Sequence, residues 1–452
     1  MPFIQSKASG MGGEVTSQAA VPCTPIKVEV SSNKDESRTV DLLGGFIRLE
    51  YRESILSDSV KAVYVFADAG DAIDGKSTLE GLPLIGTEDI KLEFEDNNEN
   101  KFKVDLNVNK VTPLIDDVQK SMVALSLVSE EYIRNEQGSA GVKIRYDGKI
   151  SDHIKKILED NLKTEKELDI EETANNYNFL GNGRKPYYIM NWLSKASIPQ
   201  KDGKEGDSAG FLFYETAEGY HFKSIDTLFA QEKKRSFIYN QTPDGEKGIP
   251  AGYDGKILEY GTDNLIDAQQ KLRMGAFQTK LIVFDPFNCY YETFDQTAKE
   301  TEEGTTLAGK ELPQLNEKKF EFNDKKNATR TTYMLLDTGT LPTGDTDEQI
   351  SKNELQNFKS KTVMNQSIRR YNQIYTASVT ITLAADFTLH AGDAIFVDAP
   401  ELKADVDDEV NKETGGLYII SDLCHYITPQ ESYTKVNLVR DSFGRKGNHT
   451  KR

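Results

Sequence analysis

Basic residues are scarce in this chain of 452 residues, which has 55 Lys and Arg against 73 Asp and Glu and a formal charge of −18 at pH 7. Binding to duplex nucleic acid needs a cationic footprint that displaces counterions from the phosphates. The charge balance therefore argues against an open nucleic-acid-binding surface. It leaves room for a surface past which nucleic acid slides without being held.

Cysteine is scarce as well, and the three that occur, Cys23, Cys289 and Cys424, have no CxxC spacing. This pattern predicts neither a zinc site nor a redox pair, and it favours a reducing compartment. Long hydrophobic runs are missing too, since no window reaches the roughly 18 apolar residues of a membrane-spanning helix. The N-terminus lacks a basic segment followed by an apolar one. We therefore expect a soluble protein with no export signal and no membrane insertion.

Signatures of catalysis are also few. The five histidines are scattered, and the chain contains neither an HExxH motif nor a GxSxG nucleophile elbow. No metal ion or cofactor is predicted. Carboxylates are so common that a catalytic pair of acids, as in a glycosidase, is neither visible nor excluded. The histidines are His153, His221, His390, His425 and His449.

One segment, Gly70 to Ser77, fits the phosphate-binding pattern GxxxxGK[ST] and follows a strand-like stretch. That chemistry needs a helix whose N-terminal amides hold the phosphates. Gly81 and Pro83 would end any helix beginning at Lys76 within about two turns. Because Asp residues inside the motif would also repel phosphate, we interpret it as an acidic surface loop.

Asp96, Asn98 and Asn100 resemble the start of an EF-hand calcium loop. Position six of that loop needs glycine and position twelve needs glutamate, but Lys101 and Asn107 stand there. We therefore predict a solvated acidic loop.

Alternating apolar residues predict half-buried antiparallel strands along much of the chain. The polar, Asn-rich stretch 95–101 suits a hairpin loop, and 215–219 suits another, with Gly219 free to take a positive φ. By contrast, 295–360 is polar and acidic and predicts long loops with short strands. Strands are predicted at 47–51, 90–94, 102–108, 211–214, 220–223, 279–284, 378–383, 394–397, 417–420 and 435–439.

Helical spacing occurs in three places. Apolar residues from Ile150 to Leu162 form one stripe over about three turns. A second helix is predicted to start at Pro186, where proline suits the first turn. A third is predicted at 263–274. The buried stripes are predicted to be Ile150, Ile154, Ile157, Leu158 and Leu162 in the first helix and Ile189, Trp192, Leu193 and Ala196 in the second.

A weak internal similarity is present. Val111-Thr112-Pro113 precedes the strand-like 125–128, and Ile427-Thr428-Pro429 precedes the strand-like 436–439. The two segments are either the same hairpin in two related barrels or similar hairpins in unrelated sheets.

The C-terminus carries a basic tail on an otherwise acidic chain. It is either a solubilising terminus or an arm that docks on an acidic partner. The candidate partner-docking residues are Arg440, Arg445, Lys446, Lys451 and Arg452.

With these residues in view, the chain resembles the baseplate hub proteins of contractile-tailed bacteriophages, a family related to the spike proteins of type VI secretion systems. The resemblance covers about 25–442 and depends on several stretches in a fixed order. They are 82–88, which leads into a strand; the hairpin 210–225; and the terminal stretches 389–393, 416–420, His425 and 436–442.

The resemblance implies a β-rich α+β fold with two similar antiparallel β-barrel domains, the second discontinuous, and small inserted α/β regions. The predicted parts are a flexible N-terminal arm at 1–24, a first barrel at 25–130, a mixed α/β domain at 131–208 and 255–360, a second barrel at 209–254 and 361–440, and the tail at 441–452.

The resemblance also implies a structural role rather than an enzyme. Three chains would place six barrels in a ring, a hub that joins a sixfold tail tube to a threefold central spike around the DNA channel. The α/β portions would lie mainly on the spike side. Independently of the resemblance, the acidic balance suits a channel through which DNA slides without sticking, and our hypothesis is that the acidic residues lie on the lumen wall. Implied partners are the tail tube, central spike, tape measure and baseplate wedge proteins, in a virion assembled in the host cytoplasm. The roles of the N-terminal arm and of the acidic loops at 299–306 and 401–413 stay open.

Two alternatives follow from other features. A β-rich hydrolase acting on cell-envelope polymers is the main one, because hub assemblies often carry lytic domains. A nucleotide-driven motor depends on the phosphate-loop match alone and ranks last.

Overall fold

A computed structural model describes most of the chain, and its described residues are rich in strands. Among them, no helix combines the length and the apolar character needed to span a bilayer. The described residues are 8–10, 13–15, 21–34, 38–68, 76–82, 84–116, 121–201, 204–205, 208–239, 252–264, 267–286, 289–297, 305–312, 328–336, 360–399 and 414–446, with the single residues 70, 249, 319 and 347.

The described strands, in chain order, begin with β1 Ala8–Gly10, β2 Gly13–Val15, β3 Thr24–Ser31, β4 Thr39–Asp41, β5 Phe46–Ser54, β6 Lys61–Asp68, β7 Asp89–Glu95, β8 Lys101–Asp116 and β9 Ser121–Val128. The middle of the chain contributes β10 Arg145–Tyr146, β11 Glu167–Ile170, β12 Phe179–Leu180, β13 Gln200–Lys201, β14 Lys204–Glu205, β15 Phe211–Thr216, β16 Gly219–Ser224, β17 Arg235–Ile238 and β18 Gly255–Lys256. The remainder are β19 Glu259–Asn264, β20 Gln278–Asp285, β21 Tyr290–Thr297, β22 Arg330–Leu335, β23 Ala377–Ala384, β24 Ala394–Asp398, β25 Gly416–Ile427 and β26 Ser432–Arg440.

The described helices are short. They are α1 Thr78–Gly81, α2 Glu130–Asn135, α3 Ile150–Lys156, α4 Pro186–Ser194, α5 Ile225–Ala230, α6 Ala268–Met274 and α7 Ser360–Gln373. A π-helical turn, Ile157–Leu162, continues α3, and a 3₁₀ turn, Leu43–Gly45, precedes β5.

One large sheet contains 14 of the described strands, and it includes two units with the same strand order. The N-terminal unit is β5 to β9, in the spatial order β7-β8-β9-β6-β5. The C-terminal unit is β19 and β23 to β26, in the order β24-β25-β26-β23-β19. Every neighbouring pair within each unit is antiparallel. The five strands also follow one another in the same order along the chain, so each unit repeats the other's topology.

A β-bulge lies at the equivalent place in both units. The register of β8 on β9 shifts between Val108 and Lys110, and that of β25 on β26 shifts between Ile420 and Asp422. A bulge inserts one residue and sharpens the local twist. The hairpins β8–β9 and β25–β26 therefore correspond, which is one of the two interpretations that the internal similarity left open. The shared bulge, however, aligns Val111 with Leu423, so the residue alignment with Ile427 was wrong by four positions.

The two units join through β25, whose edge is shared between two partners. Residues 416–419 of β25 pair with β24, and residues 422–427 pair with β5 of the N-terminal unit. The other edge of β25 pairs with β26. The strands of the two units thus lie in one continuous sheet. The separate barrels stay a prediction.

Alternation explains why these strands form. Apolar residues at every second position of β7 and β8 point to one face and are buried, as the sequence predicted. The core of the N-terminal unit also includes Ala385, Phe387 and Ile427 from the other unit. A second core lies within the C-terminal unit and is formed mainly by β23 to β26.

The inserted α/β region has its own core between α3, α4 and the hairpin β15–β16. The stripe from Ile150 to Leu162 is fully buried, and α4 begins at Pro186, both as predicted. Trp192 was wrongly placed in the buried stripe, since it is 37% exposed. Its indole instead packs edge-on against Tyr177 and Phe179 at the surface.

The hairpin β15–β16 forms as predicted, with Gly219 at φ 145. It was assigned by sequence to the second barrel. In the structure β16 pairs in parallel with β11, and the three strands form a separate sheet. The aromatic residues Phe211, Phe213, Tyr220 and Phe222 on this hairpin pack into the α/β core.

Two boundaries differ from prediction in the second half of the chain. The helix predicted at 263–274 starts only at Ala268, where the Asp267 side chain accepts a hydrogen bond from Gln270 N at 2.9 Å. Residues 259–264 before it are strand β19. The second difference is α7, which lies where strands or loops were expected.

Helix α7 escaped prediction because polar side chains form its buried face. Ser367, Arg369 and Arg370 are fully buried. The Arg370 guanidinium donates to Asp441 Oδ2 at 2.8 Å and to Asp226 Oδ1 at 2.9 Å. Charged residues are rarely buried unless paired, and here both partners come from distant segments.

The predicted N-terminal arm lies mostly outside the described residues. Its described part contains β1 and β2, which pair antiparallel. Cys23, just before β3, is 6% exposed, and its N–H donates to Ser432 Oγ at 2.9 Å.

The loop that resembles an EF hand is a structural link. The solvated loop expected there was wrong for Asp96, which is 4% exposed. Asp96 Oδ1 accepts from the N–H groups of Asn98 and Asn100, and Oδ2 accepts from Phe387 N at 3.1 Å. Burial raises the pKa of Asp96, although these donors oppose the rise. One carboxylate thus shapes the β7–β8 hairpin and holds it to the C-terminal unit.

Asp96→Ala is expected to lower the free energy of unfolding by about 1–3 kcal/mol, because it leaves buried N–H groups without an acceptor. Asp96→Asn keeps one oxygen acceptor and should lose less. The exposed Asp105→Ala on β8 is the matched control. Thermal and urea unfolding of the three variants measure the effect, and equal stability of Asp96→Ala and Asp105→Ala would contradict it.

Candidate assembly interfaces

A buried carboxylate, Glu53 on β5, lies where three parts of the chain meet. Glu53 is 2% exposed. Its oxygens accept hydrogen bonds from Ala217 N at 2.7 Å, Ala391 N at 2.9 Å and Tyr51 Oη at 3.0 Å. His390 Nδ1 lies 3.2 Å away and forms an ion pair with it. Glu53 therefore connects the N-terminal unit to the loop of β15–β16 and to the loop before β24.

Glu53 and His390 favour their charged forms although both are buried. Burial would raise the pKa of Glu53, but the His390 imidazolium and the two backbone N–H groups outweigh it and lower the pKa to about 2. Burial would lower the pKa of His390, but the Glu53 carboxylate raises it. Buried ion pairs stabilise only when the remaining hydrogen-bonding sites are satisfied. The backbone donors around Glu53 meet that condition.

A second buried cluster attaches the α/β region to the N-terminal unit. Lys166 Nζ lies 2.7 Å from Glu131 Oε2 and 2.5 Å from Glu215 Oε1. Burial would lower the pKa of Lys166, but the two carboxylates raise it. Glu215 Oε2 also accepts from Val60 N at 3.0 Å, which ties the hairpin β15–β16 to the start of β6.

The sequence reasoning missed Glu53, although a signal was present. Leu49, Tyr51 and Glu53 occupy alternate positions of β5, and the first two are fully buried. A carboxylate that continues an apolar stripe at period two must point into the core. Such a residue requires partners, and those partners come from the loops at 217 and 391.

The phosphate-loop match does not produce a phosphate site in the described residues. Helix α1 has only four residues, as Gly81 predicted, and 71–75 lie outside the described residues. Asp68 Oδ2 accepts from Thr78 N at 2.5 Å, and Asp68 Oδ1 accepts from Gly70 N at 2.9 Å. A carboxylate of the chain therefore already accepts from the Thr78 amide at the start of α1, where a phosphate would have to bind.

The described histidines lie apart and serve different contacts. His153 Nε2 bonds Tyr177 O at 2.9 Å, and His425 Nδ1 bonds Thr434 Oγ1 at 3.0 Å. Burial lowers the pKa of His425 to about 4, so this imidazole is neutral near pH 7. His221 stacks on Tyr214, and His449 is outside the described residues. Within the described segments, no group of His, Cys, Asp and Glu could hold a metal ion.

A polar cleft opens beside the junction of β5 and β25. Its lining includes Arg52, Lys61, Asp422, Cys424 and Lys435. Burial raises the pKa of the Cys424 thiol, which Arg52 only partly opposes. The thiolate is the reactive form of cysteine. A largely protonated Cys424 is therefore a poor nucleophile.

The basic tail begins inside the fold. Arg440 is 1% exposed, and its guanidinium donates to Ser442 O at 2.6 Å and to Gly444 O at 2.8 Å. Arg445 forms a two-point ion pair with the buried Asp398 at 2.8 and 2.9 Å. Lys446 donates to Leu307 O at 3.2 Å and is exposed. Lys451 and Arg452 lie outside the described residues, and the docking role of the tail stays a prediction.

An apolar surface lies on the outer face of the sheet β20–β21–β22. Register places Phe284 beside Tyr291 and Leu335, and it places Tyr333 beside Ile282. Phe284, Tyr291, Tyr333 and Leu335 are exposed, with Tyr291 at 67% and Tyr333 at 74%, and Ile282 is half-buried. The alternate residues Leu281 and Val283 are buried toward α7. Clustered exposed aromatic residues mark surfaces that bind other proteins. The acidic loop at 401–413 and most of that at 299–306 lie outside the described residues.

Glu53→Gln is expected to lower the free energy of unfolding by about 3–5 kcal/mol near pH 7, because it leaves His390 buried without its partner charge. Glu50→Gln on the same strand is the matched control. Its carboxylate pairs with Arg48 and Arg52 at the surface, so its loss should be below about 1 kcal/mol. Urea unfolding at fixed pH compares the two, and similar losses would contradict the role of Glu53.

The same pair predicts a pH dependence. The folded pKa of His390 is raised above its ordinary 6.5, so its contribution is full below about pH 6.5 and is lost as the pH rises through the folded pKa. The folded pKa of Glu53 is lowered from 4.5 to about 2, so its contribution is present above pH 4.5 and is lost as the pH falls toward 2. As the pH rises above about 6.5, the unmodified protein should lose more unfolding free energy than Glu53→Gln. Equal slopes in unfolding curves would contradict this.

Comparison with solved structures finds several chains that align with this one. A 43 kDa tail protein of prophage MuSo2 from Shewanella oneidensis aligns with 92% of this chain and 98% of its own, at a TM-score of 0.50 and 10% identity. A tail protein from Neisseria meningitidis MC58 aligns with 92% of this chain and 96% of its own, at a TM-score of 0.50 and 8% identity. A type VI secretion component from E. coli aligns with 90% of this chain and 77% of its own, at a TM-score of 0.40 and 9% identity.

Sequence comparison gives no such match. No protein-family model matches the chain, and no curated protein matches it. At 8–10% identity the likeness to the two tail proteins concerns the fold. The described chain therefore has the β-rich fold of phage tail proteins.

Proposed function

We propose that this chain is a structural virion protein, the baseplate hub subunit of a contractile phage tail. Three copies form a ring in which each chain contributes its N-terminal and C-terminal units. The observation that carries the proposal is the repeated strand order, with the bulge at the same place in both units. Two alike units in each of three chains give a ring with six similar positions.

Such a ring connects two symmetries. One face presents six similar units to the sixfold tail tube, and the other presents three α/β regions to the threefold central spike. The two units are held together by the shared strand β25 and by the buried carboxylates Glu53 and Asp96. A hub must keep its units in fixed relative positions, and buried polar contacts of fixed geometry serve that need.

The ring surrounds the DNA channel. A formal charge of −18 suits a wall past which DNA slides during genome ejection without binding. The tape measure and baseplate wedge proteins are the further partners of such a hub, and the virion baseplate is its place.

The mass in solution tests the hub. Size-exclusion chromatography with light scattering should give a mass near three times the 50.7 kDa of one chain, alone or with the tail tube and spike proteins of the same phage. The complexes should appear in electron micrographs as rings with six similar lobes. A monomeric mass under all these conditions would overturn the proposal.

Zymography against peptidoglycan tests the hydrolase alternative, because a lytic band from this chain alone would contradict a purely structural role.

DNA binding gives an independent check of the channel. The purified ring should not retard linear duplex DNA in a gel at low ionic strength, where electrostatic attraction is strongest. Its lumen in a density map should be lined mainly by Asp and Glu. A gel shift that disappears with added salt, or a lumen lined by Lys and Arg, would contradict the proposed location of the acidic residues.

The aromatic face of β20–β21–β22 is the proposed contact with the spike, because this part of the chain belongs to the α/β region assigned to the spike side. Tyr291→Ala with Tyr333→Ala should weaken spike binding at least about tenfold, the effect of losing interface tyrosines worth over 1 kcal/mol. Arg273→Ala on the exposed side of α6 is the control. Isothermal titration with purified spike measures the affinity, and unchanged binding by the double variant would exclude this surface.

A further inference from the structure

At the junction of the two units, an edge of β25 pairs with an edge of β5. Within the described residues, the equivalent edges of β8 and β19 have no such partner. Residues 422–427 of β25 pair with β5. The equivalent half of β8 begins after the bulge at Asn109, and its described strand partner there is β9 alone. The strand equivalent to β5 is β19, whose described strand partner is β23 alone.

Side chains are more exposed on the half of β8 that has no second strand partner than at the equivalent positions of β25. Aligned on the shared bulge, Pro113 of β8 corresponds to His425 of β25. His425 is fully buried, whereas Pro113 is exposed. Leu114 and Ile115, next along β8, are 50% and 48% exposed. An exposed edge with apolar side chains is a template for pairing with another strand.

We propose that the second half of β8 in one chain pairs antiparallel with the free edge of β19 in the next copy of this chain. The contact repeats between chains the β25–β5 contact that already exists within one chain. Its two sides are different surfaces, so the contact is head-to-tail and closes into a ring when the rotation between copies permits. The inference rests on the proposed hub and names the edges by which its subunits join.

The register follows from the internal contact. Cys424 lies opposite Arg52 in the β25–β5 ladder. Thr112 takes the place of Cys424 on β8, counted from the shared bulge. Asn264 takes the place of Arg52, because Arg52 pairs with Lys61 and Asn264 pairs with the corresponding residue of β23, Ser378. The joint therefore places Thr112 of one chain opposite Asn264 of the next.

A second pair lies further along the same ladder. Tyr426 lies opposite Glu50 in the internal contact. Their equivalents are Ile115, after a further register shift in β8, and Gly261 on β19. A Cβ at Gly261 would have as its nearest neighbour Thr380 O at 3.8 Å, so this position accepts a side chain. The two residue pairs therefore test the same strand register at two positions.

Disulfide trapping tests the joint in the full chain. Thr112→Cys with Asn264→Cys, and separately Ile115→Cys with Gly261→Cys, are made in a background of Cys289→Ser and Cys424→Ser. Cys23 can stay, because it is buried and burial raises its pKa to about 12. Mild oxidation should join chains covalently up to the trimer, whereas each single-cysteine variant should give at most a dimer.

The internal joint supplies the matched control. Arg52→Cys, with native Cys424 kept and Cys289→Ser, should form a disulfide within one chain and shift its gel mobility without changing its mass. This shows that the register used for Thr112 and Asn264 permits the bond. Mass by light scattering before oxidation is measured for every variant, so that oligomer formation is read separately from cross-linking.

The outcomes separate the two proposals. A trimeric mass with covalent trimers supports both the hub and the joint. A trimeric mass without cross-links by either pair, while the internal control reacts, overturns the joint and leaves the hub standing. Cross-linked chains that extend beyond three support the joint and overturn the trimeric hub. A monomeric mass without cross-links, both alone and with the tail tube and spike proteins of the same phage, overturns both.

Discussion

The fold depends on one shared strand, β25. A strand edge that is buried needs a partner, because its backbone N–H and C=O groups are unfavourable when buried without hydrogen bonds. β25 is long enough to give one half of an edge to β24 and the other half to β5. The sheet of the C-terminal unit thereby continues into the N-terminal unit. Residues more than 350 positions apart in the chain become hydrogen-bonded neighbours.

The buried carboxylates hold the loops that lie beside the junction formed by β25. Glu53 lies on β5 beside the junction, and its donors come from the loops at 217 and 391. Asp96 reaches the backbone of Phe387 from the tip of the β7–β8 hairpin. Each carboxylate satisfies N–H groups that irregular loops would otherwise leave unpaired inside the protein. A sheet ladder sets the relative orientation of two units, and directional contacts of this kind fix the loops around it.

The repeated strand order of the two units determines which of their edges are equivalent. Two units with the same strand order necessarily have equivalent edges, and only one of the two possible junctions between them lies within a chain. The net charge of −18, the fold and the equivalent edges that have no partner within the described residues are all compatible with the proposed hub. The features that resemble enzyme motifs have structural roles in the described residues: Asp68 caps α1, and Asp96 links the two units.

The sequence by itself determined the elements whose side chains alternate or recur at helical spacing. Strands β5 to β9 and β23 to β26, the helix from Ile150 and the helix from Pro186 were predicted because apolar residues can be buried only on one face at those periods. Strand β19 was not predicted. The sequence did not determine α7, since the buried face of that helix contains Arg370, whose partners Asp226 and Asp441 are remote in sequence. Nor did it distinguish a solvated from a buried carboxylate at Asp96, or show that Arg440 turns back into the fold. Only the tertiary structure decided these, because the free energy of a buried charge depends on which distant donors and counter-charges the fold brings to it.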